Sequence, residues 1–218
     1  MGSSVTGNSS ETDQLLRRLA KGDHRDWGAL LERHRQRLRR MIALRLDQRL
    51  QGRIDASDVI QEAYLEASTR LEDYLRRPTM PFYLWLRFLT GQKLLELHRH
   101  HLGAQMRDAG REVSLYRGSL PATSSAALAA QLLGHGTQPS EAAVRAERKI
   151  RLQEALNTLD AMDREVLALR HFEQLTTPEV AQVLGIKEGA ASKRYLRALG
   201  RLKEVLNSMP GGMQELLP

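Results

Sequence analysis

Asp58, Gln61 and Glu62 come closest to the spacing that bond chemistry requires. They stand at i, i+3 and i+4, so a helix gathers them on one face. Two carboxylates so placed can exchange protons as general acid and base or take part in holding a metal. Nothing else in the chain completes such a site. There is no third ligand at metal spacing, no glycine-rich phosphate loop and no nucleophile with a companion base. His98, His100 and His101 form a second cluster, but they lack a fourth ligand, and the end of a helix near a polyanion suits them better than a metal. Cysteine is absent, so neither disulfides nor thiolate metal sites can form, in keeping with a reducing compartment. The chain reads as one that binds rather than catalyses, with no catalytic residue, metal or cofactor expected.

The binding chemistry is clearest over 175–202, LTTPEVAQVLGIKEGAASKRYLRALGRL. Thr177 is expected to cap a short helix that begins at Pro178, with Glu179 in the first turn where the dipole favours an anion. Val180, Ala181, Val183 and Leu184 give it an apolar face, and Gly185 supplies a left-handed exit. A second helix follows, its apolar pattern running through Ile186, Ala190, Ala191, Tyr195, Leu196, Leu199 and Leu202. Gly189 and Ala190 keep its leading end slim. This is the build of a helix-turn-helix whose second helix enters a major groove. A solvated helix normally mixes charges of both signs, whereas 187–203 sets Lys187, Lys193, Arg194, Arg197, Arg201 and Lys203 against Glu188 alone. Lys187 stands where a capping side chain is usual and cannot accept that bond, which leaves the first turn to water or DNA phosphate.

These residues need elements to carry them, and the composition is that of an all-α chain. Its 218 residues bear a net charge of +7 and a pI near 10.0, which draws it to polyanions. Aromatics are few, while Leu, Ala, Arg and Glu predominate. No apolar run approaches membrane-spanning length, and no signal peptide is expected, so no membrane insertion follows. A segment over 119–140 contains no Lys, Arg, Asp or Glu, and both its flanks are dense in charge. The expected organisation is a loose polar tail over 1–11, a helical domain over 12–112, a linker over 113–139, a helix-turn-helix domain over 140–207 and a tail over 208–218. Within the linker, 126–133 has the composition of a short helix able to pack on a partner.

In the first domain, helices are expected over 13–20, 27–46, 55–74 and 82–101. Trp27, Leu30, Leu31, Leu38, Met41, Ile42 and Leu46 form the apolar stripe of the second, whose other face is rich in arginine. Asp55 caps the third, with Asp58 as a capping-box-like partner. Prolines 78 and 81 stiffen the loop after it. Phe82, Trp85, Leu86, Leu89, Leu94 and Leu97 are expected in the core, and Tyr83, Arg87, Lys93, Arg99, His100 and His101 outside it.

Three blocks, in order, resemble one family. DASDVIQEAYLEA at 55–67 is similar to the core-binding helix of bacterial sigma factors of the extracytoplasmic-function (ECF) group, within the sigma-70 family. FYLWLRFLTGQKLLELHRHH at 82–101 resembles the helix that melts and reads the −10 promoter element, and 155–202 resembles the −35-binding domain. The likeness covers about 12–205. It implies two helical domains resembling sigma regions 2 and 4. It also implies core RNA polymerase as a partner, through its clamp coiled coil and its flap, with double-stranded and melted promoter DNA, and an anti-sigma protein as a further partner. The implied place is the cytoplasm, at the nucleoid when polymerase-bound.

By the same likeness, Asp58, Gln61 and Glu62 grip the clamp helices. The segment 76–82, with Arg76, Arg77 and Thr79, captures a flipped base, and Tyr83, Arg87, Lys93 and Arg99 accompany it along the −10 strand. Trp85 also matches this segment but reads better as core. Lys187, Ser192, Lys193, Arg194, Arg197 and Arg201 serve the −35 element, Arg201 through phosphate. Gly91 and Glu96 depart from the family, which often has Asn and Asp there. The alternative is a stand-alone helix-turn-helix regulator, homodimeric on an operator, although no heptad or large apolar patch provides for dimerisation. An RNA-processing enzyme would explain the charge but not the order of the blocks.

Overall fold

The computed structural model describes residues 4–102, 120–133 and 142–208, and among them it is built from helices, with a single isolated β-bridge between Gln51 and Ile54. The helices are α1 (Ser4–Leu19), α2 (Trp27–Arg45), α3 (Ala56–Arg76), α4 (Phe82–Leu102), α5 (Ser125–Leu132), α6 (Ala142–Thr158), α7 (Ala161–Leu167), α8 (Thr177–Leu184) and α9 (Glu188–Ser208). Two compact units result, one of residues 1–42 and 48–120, the other of 43–47 and 121–218. No helix among the described residues is long and apolar enough to cross a membrane.

In the first unit, α3 packs on α4, and their apolar faces meet that of α2 around Leu30, Leu38, Met41, Ile60, Leu86, Leu89 and Leu94, all essentially without exposure. Polar ties set the register. Tyr64 Oη donates to the Leu31 carbonyl at 2.6 Å, and Trp27 Nε1 donates to Ser68 Oγ at 2.9 Å. Helix α1 begins at Ser4, well ahead of the 13–20 read from the sequence, so the expected loose tail is helical from that residue. Ser and Gly are poor helix formers, and the helix is held from its far half instead. Thr12, Leu15 and Leu19 are buried there, and Glu11 pairs with Arg33 at 2.6 Å. Asp55 caps α3, accepting from the Ser57 N–H at 2.7 Å.

In the second unit, α5 lies against α6 and buries Ala126, Leu128 and Ala129. Ser124 starts it by accepting from the Ala127 N–H. Residues 121–133, read as linker for their lack of charge, thus belong to this unit's core. A charge-free run of Ala and Leu is what a buried short helix requires, so one composition fits both readings. The remaining linker residues 113–119 and 134–139 lie outside the described residues, as do 140–141 and the tail beyond Ser208. α7 runs into one π-helical turn, Ala168–Phe172, and α8 and α9 follow. The cap of α8 is Thr176, one residue before the Thr177 expected from sequence. The reason is the three-residue spacing of a capping box. Thr176 Oγ1 accepts from the Glu179 N–H, and the Glu179 carboxylate accepts from the Thr176 N–H at 2.7 Å, whereas Thr177 would face the apolar Val180. Gly185 ends α8 at φ +64°, and the Ile186 N–H closes back on the Ala181 carbonyl at 3.0 Å.

Candidate nucleic-acid interface

Helix α9 is positioned by its inward face. Ala191, Ala198 and Leu206 are buried against α7 and α8, with Leu202 and Val205 half-buried beside them. Small residues at 191 and 198 allow the helices to approach closely, while Gly185 sets the turn. At the start of α9, Lys187 contributes only its carbonyl, which accepts from the Ala190 and Ala191 N–H groups at 2.9 and 3.0 Å.

The cations of α9 divide into two sets. Lys193, Arg197 and Lys203, with Lys187 just ahead of the helix, are exposed, as is the neutral Ser192, and no ion pair holds these four cations among the described residues. Arg194 and Arg201 turn instead toward the start of α7. Asp163 is buried to 1% exposure and receives Arg201 Nη1 at 2.6 Å and Arg194 Nη1 at 3.5 Å. Asp160, the cap of α7, adds weaker contacts at 3.6 and 3.9 Å. A buried carboxylate needs such partners, because an unpaired charge there carries a large desolvation cost. Sequence reading offers no signal for this clasp, since its members are 31 and 38 residues apart. It also places Leu196 on the apolar pattern, whereas the structure leaves it 65% exposed.

In the first unit, Asp58, Gln61 and Glu62 lie exposed along one side of α3, and Leu65 extends the same stripe at 70% exposure. No group of His, Cys, Asp and Glu suited to a metal occurs among the described residues. Arg76, Arg77 and Thr79 are exposed in and after the last turn of α3, with Arg76 paired to Glu72 at 3.1 Å.

Tyr83 and Arg87 depart from expectation, since both are buried, at 3% exposure each. The Tyr83 ring is roofed by the Arg37 guanidinium at 3.5 Å and lies 5.6 Å from the His34 ring. Helix α4 is apolar around much of its first two turns, so residues read as its outer face are covered as well. Trp85 is core, stacked on Tyr74 with centroids 4.5 Å apart. Lys93 is half-buried and paired with Glu96 at 3.1 Å, while Arg99, His100 and His101 are exposed and His98 is buried. Gly91 has a packing reason. A Cβ there would stand 2.2 Å from Leu120 Cδ2, so the Leu120 side chain fills the space that an Asn would need.

His34 is a buried titratable group of this unit. Its ring lies 5.6 Å from Phe82 and from Tyr83, and neither ring nitrogen has a hydrogen-bond partner among the described residues. Burial, followed by the neighbouring Arg37 and Arg33 charges, pushes its imidazole down to about 3.

Known proteins resemble this arrangement. The family model described as Sigma-70, region 4 matches residues 149–202. The ECF RNA polymerase sigma factor SigD of Mycobacterium tuberculosis is 29% identical over 201 residues, which cover 92% of this chain and 86% of the relative. RNA polymerase sigma factor CnrH of Cupriavidus metallidurans is 26% identical over 204 residues, covering 92% and 97%. The solved structure of CnrH in complex with the cytosolic domain of CnrY shares the fold, with a TM-score of 0.52 and 24% identity across 90% of this chain and 97% of that one.

Proposed function

We propose that this chain is a member of the extracytoplasmic-function group of the sigma-70 family and acts as the promoter-recognition subunit of RNA polymerase, a reading supported by its likeness to such factors over 92% of its length. It binds the core enzyme, directs it to −35 and −10 elements, and so selects where transcription begins. The observation that carries this reading is the outer face of α9. Exposed Lys193, Arg197 and Lys203 line a slim helix that has no acid between Glu188 and Glu204, the arrangement that phosphate walls and base edges call for.

The site assignments follow as our reading. Asp58, Gln61 and Glu62 dock on a basic helical partner, the polymerase clamp, where complementary charge gives specificity. Arg76, Arg77 and Thr79, with Lys93 and Arg99, attend the melted −10 strand. Unpaired bases stack on aromatic and guanidinium planes for about 1–3 kcal/mol per base. Tyr83 and Arg87, being buried, would join them only through a rearrangement of α4. On α9, Lys187, Ser192, Lys193 and Arg197 meet the −35 duplex directly, while Arg194 and Arg201 can do so only by sharing or leaving Asp163. We assign the protein no bond-making step, place it in the cytoplasm with polymerase, and include an anti-sigma protein among its partners.

A stand-alone homodimeric regulator would account for 149–202 alone, whereas the sigma-factor relatives align over 92% of the chain. The deciding experiment is run-off transcription by core RNA polymerase on genomic fragments, with and without the full chain. Promoter-specific transcripts that appear only with the chain are expected. Their absence, together with no retention of core polymerase in a pull-down, would remove the reading.

A further inference from the structure

Leu196 is a large apolar side chain that the fold does not use. It is 65% exposed, although Ala191 and Ala198 of the same helix are buried to 2% and 0%. Positions 189, 193, 196 and 200 are spaced four, three and four apart, so they form one stripe along the outer side of α9. Gly189 and Gly200 end that stripe, and a Cβ at either would meet nothing within 4 Å. Lys193 and Leu196 are therefore the side chains that stand out from it. The exposed cations Lys187, Arg197 and Lys203 flank the stripe. A shallow hollow beside Leu196 is lined by Ile186, Ala190, Lys193, Arg194 and Arg197, so a small apolar group entering there meets carbon on its floor and cations at its rim.

These surroundings narrow the choice of occupant. A second copy of the same face would set like charges against each other, which costs several kcal/mol. A membrane needs a broader apolar face than one leucine. The major groove of duplex DNA meets both demands, with phosphates along its walls and the thymine 5-methyl as the apolar feature of its floor. That groove is about 12 Å wide, and a helix with its side chains is roughly 10–12 Å across. Bare glycines at both ends of the stripe let the middle of α9 come down toward the base edges.

We propose that Leu196 reads a thymine methyl in the −35 element and makes this position specific for thymine. The proposal rests on the assignment of α9 to the −35 element. Its test uses the full chain with core RNA polymerase on a promoter identified by run-off transcription. Each −35 thymine on either strand is replaced in turn by deoxyuridine, which removes the methyl and leaves the hydrogen-bonding edge unchanged.

Wild type should lose about fourfold in promoter use at one thymine, the equivalent of the ~0.8 kcal/mol for one buried methylene-sized group. Leu196→Ala should begin lower on the thymine promoter by a similar factor and lose nothing further with deoxyuridine. Being exposed, the substitution should leave the fold intact, which thermal unfolding checks. Wild type indifferent to deoxyuridine at every position, a variant that keeps the full deoxyuridine effect, or promoters without thymine there would each overturn the proposal. If Leu196→Ala weakens transcription while deoxyuridine has no effect, the leucine serves a protein partner and the thymine assignment falls. Failure of the parent reading looks different, because no promoter-specific transcript would then appear before any base is altered.

Discussion

The basic residues of α9 share a charge but not a task. Arg201 lies 2.6 Å from a carboxylate that is almost wholly buried, whereas Lys193 and Arg197 face outward. Arg201→Ala should therefore lower the stability of the second unit by about 1–3 kcal/mol, the range for a buried polar group that loses its partner. Lys193→Ala and Arg197→Ala should stay within about 0.5 kcal/mol of wild type and each lower the salt slope of promoter binding by about one. Urea unfolding beside a salt titration separates the two classes, and equal stability loss in all three variants would count against the division. His34 gives a second test. Its folded pKa of about 3 lies below the unfolded value near 6.5, so the unfolded chain binds the extra proton. The contribution is therefore complete above pH ~6.5 and declines as pH falls toward 3. His34→Leu should flatten the stability of the first unit over that window, and an unchanged acid limb would show that other groups govern it.

Among the elements, α8 shows how local rules set the geometry of a surface. Thr176 and Glu179 satisfy each other at its start, and Gly185 turns the chain at its end, so the direction of α9 is set by residues outside that helix. Thr176→Ala should cost about 0.5–2 kcal/mol. It should also weaken −35 binding through helix misplacement rather than through any lost contact. The check is a fall in melting temperature together with an unchanged salt slope. A reduced slope would mean that Thr176 lies at the DNA itself. In the first unit the corresponding device is the apolar breadth of α4, which places Tyr83 and Arg87 inside and leaves 76–79 and the far end of the helix to the solvent.

For the whole molecule, one chain carries an acidic stripe on its first unit and a basic stripe on its second, as a protein joining a polymerase to DNA must. Asp58→Arg combined with Glu62→Arg reverses the first stripe at two exposed positions, so folding should be untouched. Core polymerase binding should fall by at least tenfold, since like-charge contacts across an interface cost several kcal/mol. The measurements are a pull-down with core polymerase and circular dichroism of the variant. A folded variant that binds as tightly as wild type would move the interface elsewhere.

Period and punctuation make the helices legible in the amino-acid sequence. Apolar spacing places α2, α3, α4 and α8 to within a residue or two, and Pro, Gly and Asp mark their ends, because those signals act over only a few residues. Helix α9, by contrast, runs on to Ser208, past the Leu202 that closes the apolar pattern read from the sequence. The basic bias of 187–203 and the carboxylates at 58 and 62 are equally plain, since they are properties of one helix face. Exposure is not. Whether Tyr83 and Arg87 look outward depends on how widely α2 and α3 cover α4. Whether Arg194 and Arg201 are free depends on Asp163, which approaches only once α7 packs on α9. The burial of 121–133 against α6 and the exposure of Leu196 likewise turn on neighbours distant in sequence. Local pattern decides which helices form and which faces they possess; the packing of those helices on one another decides which faces remain to be used.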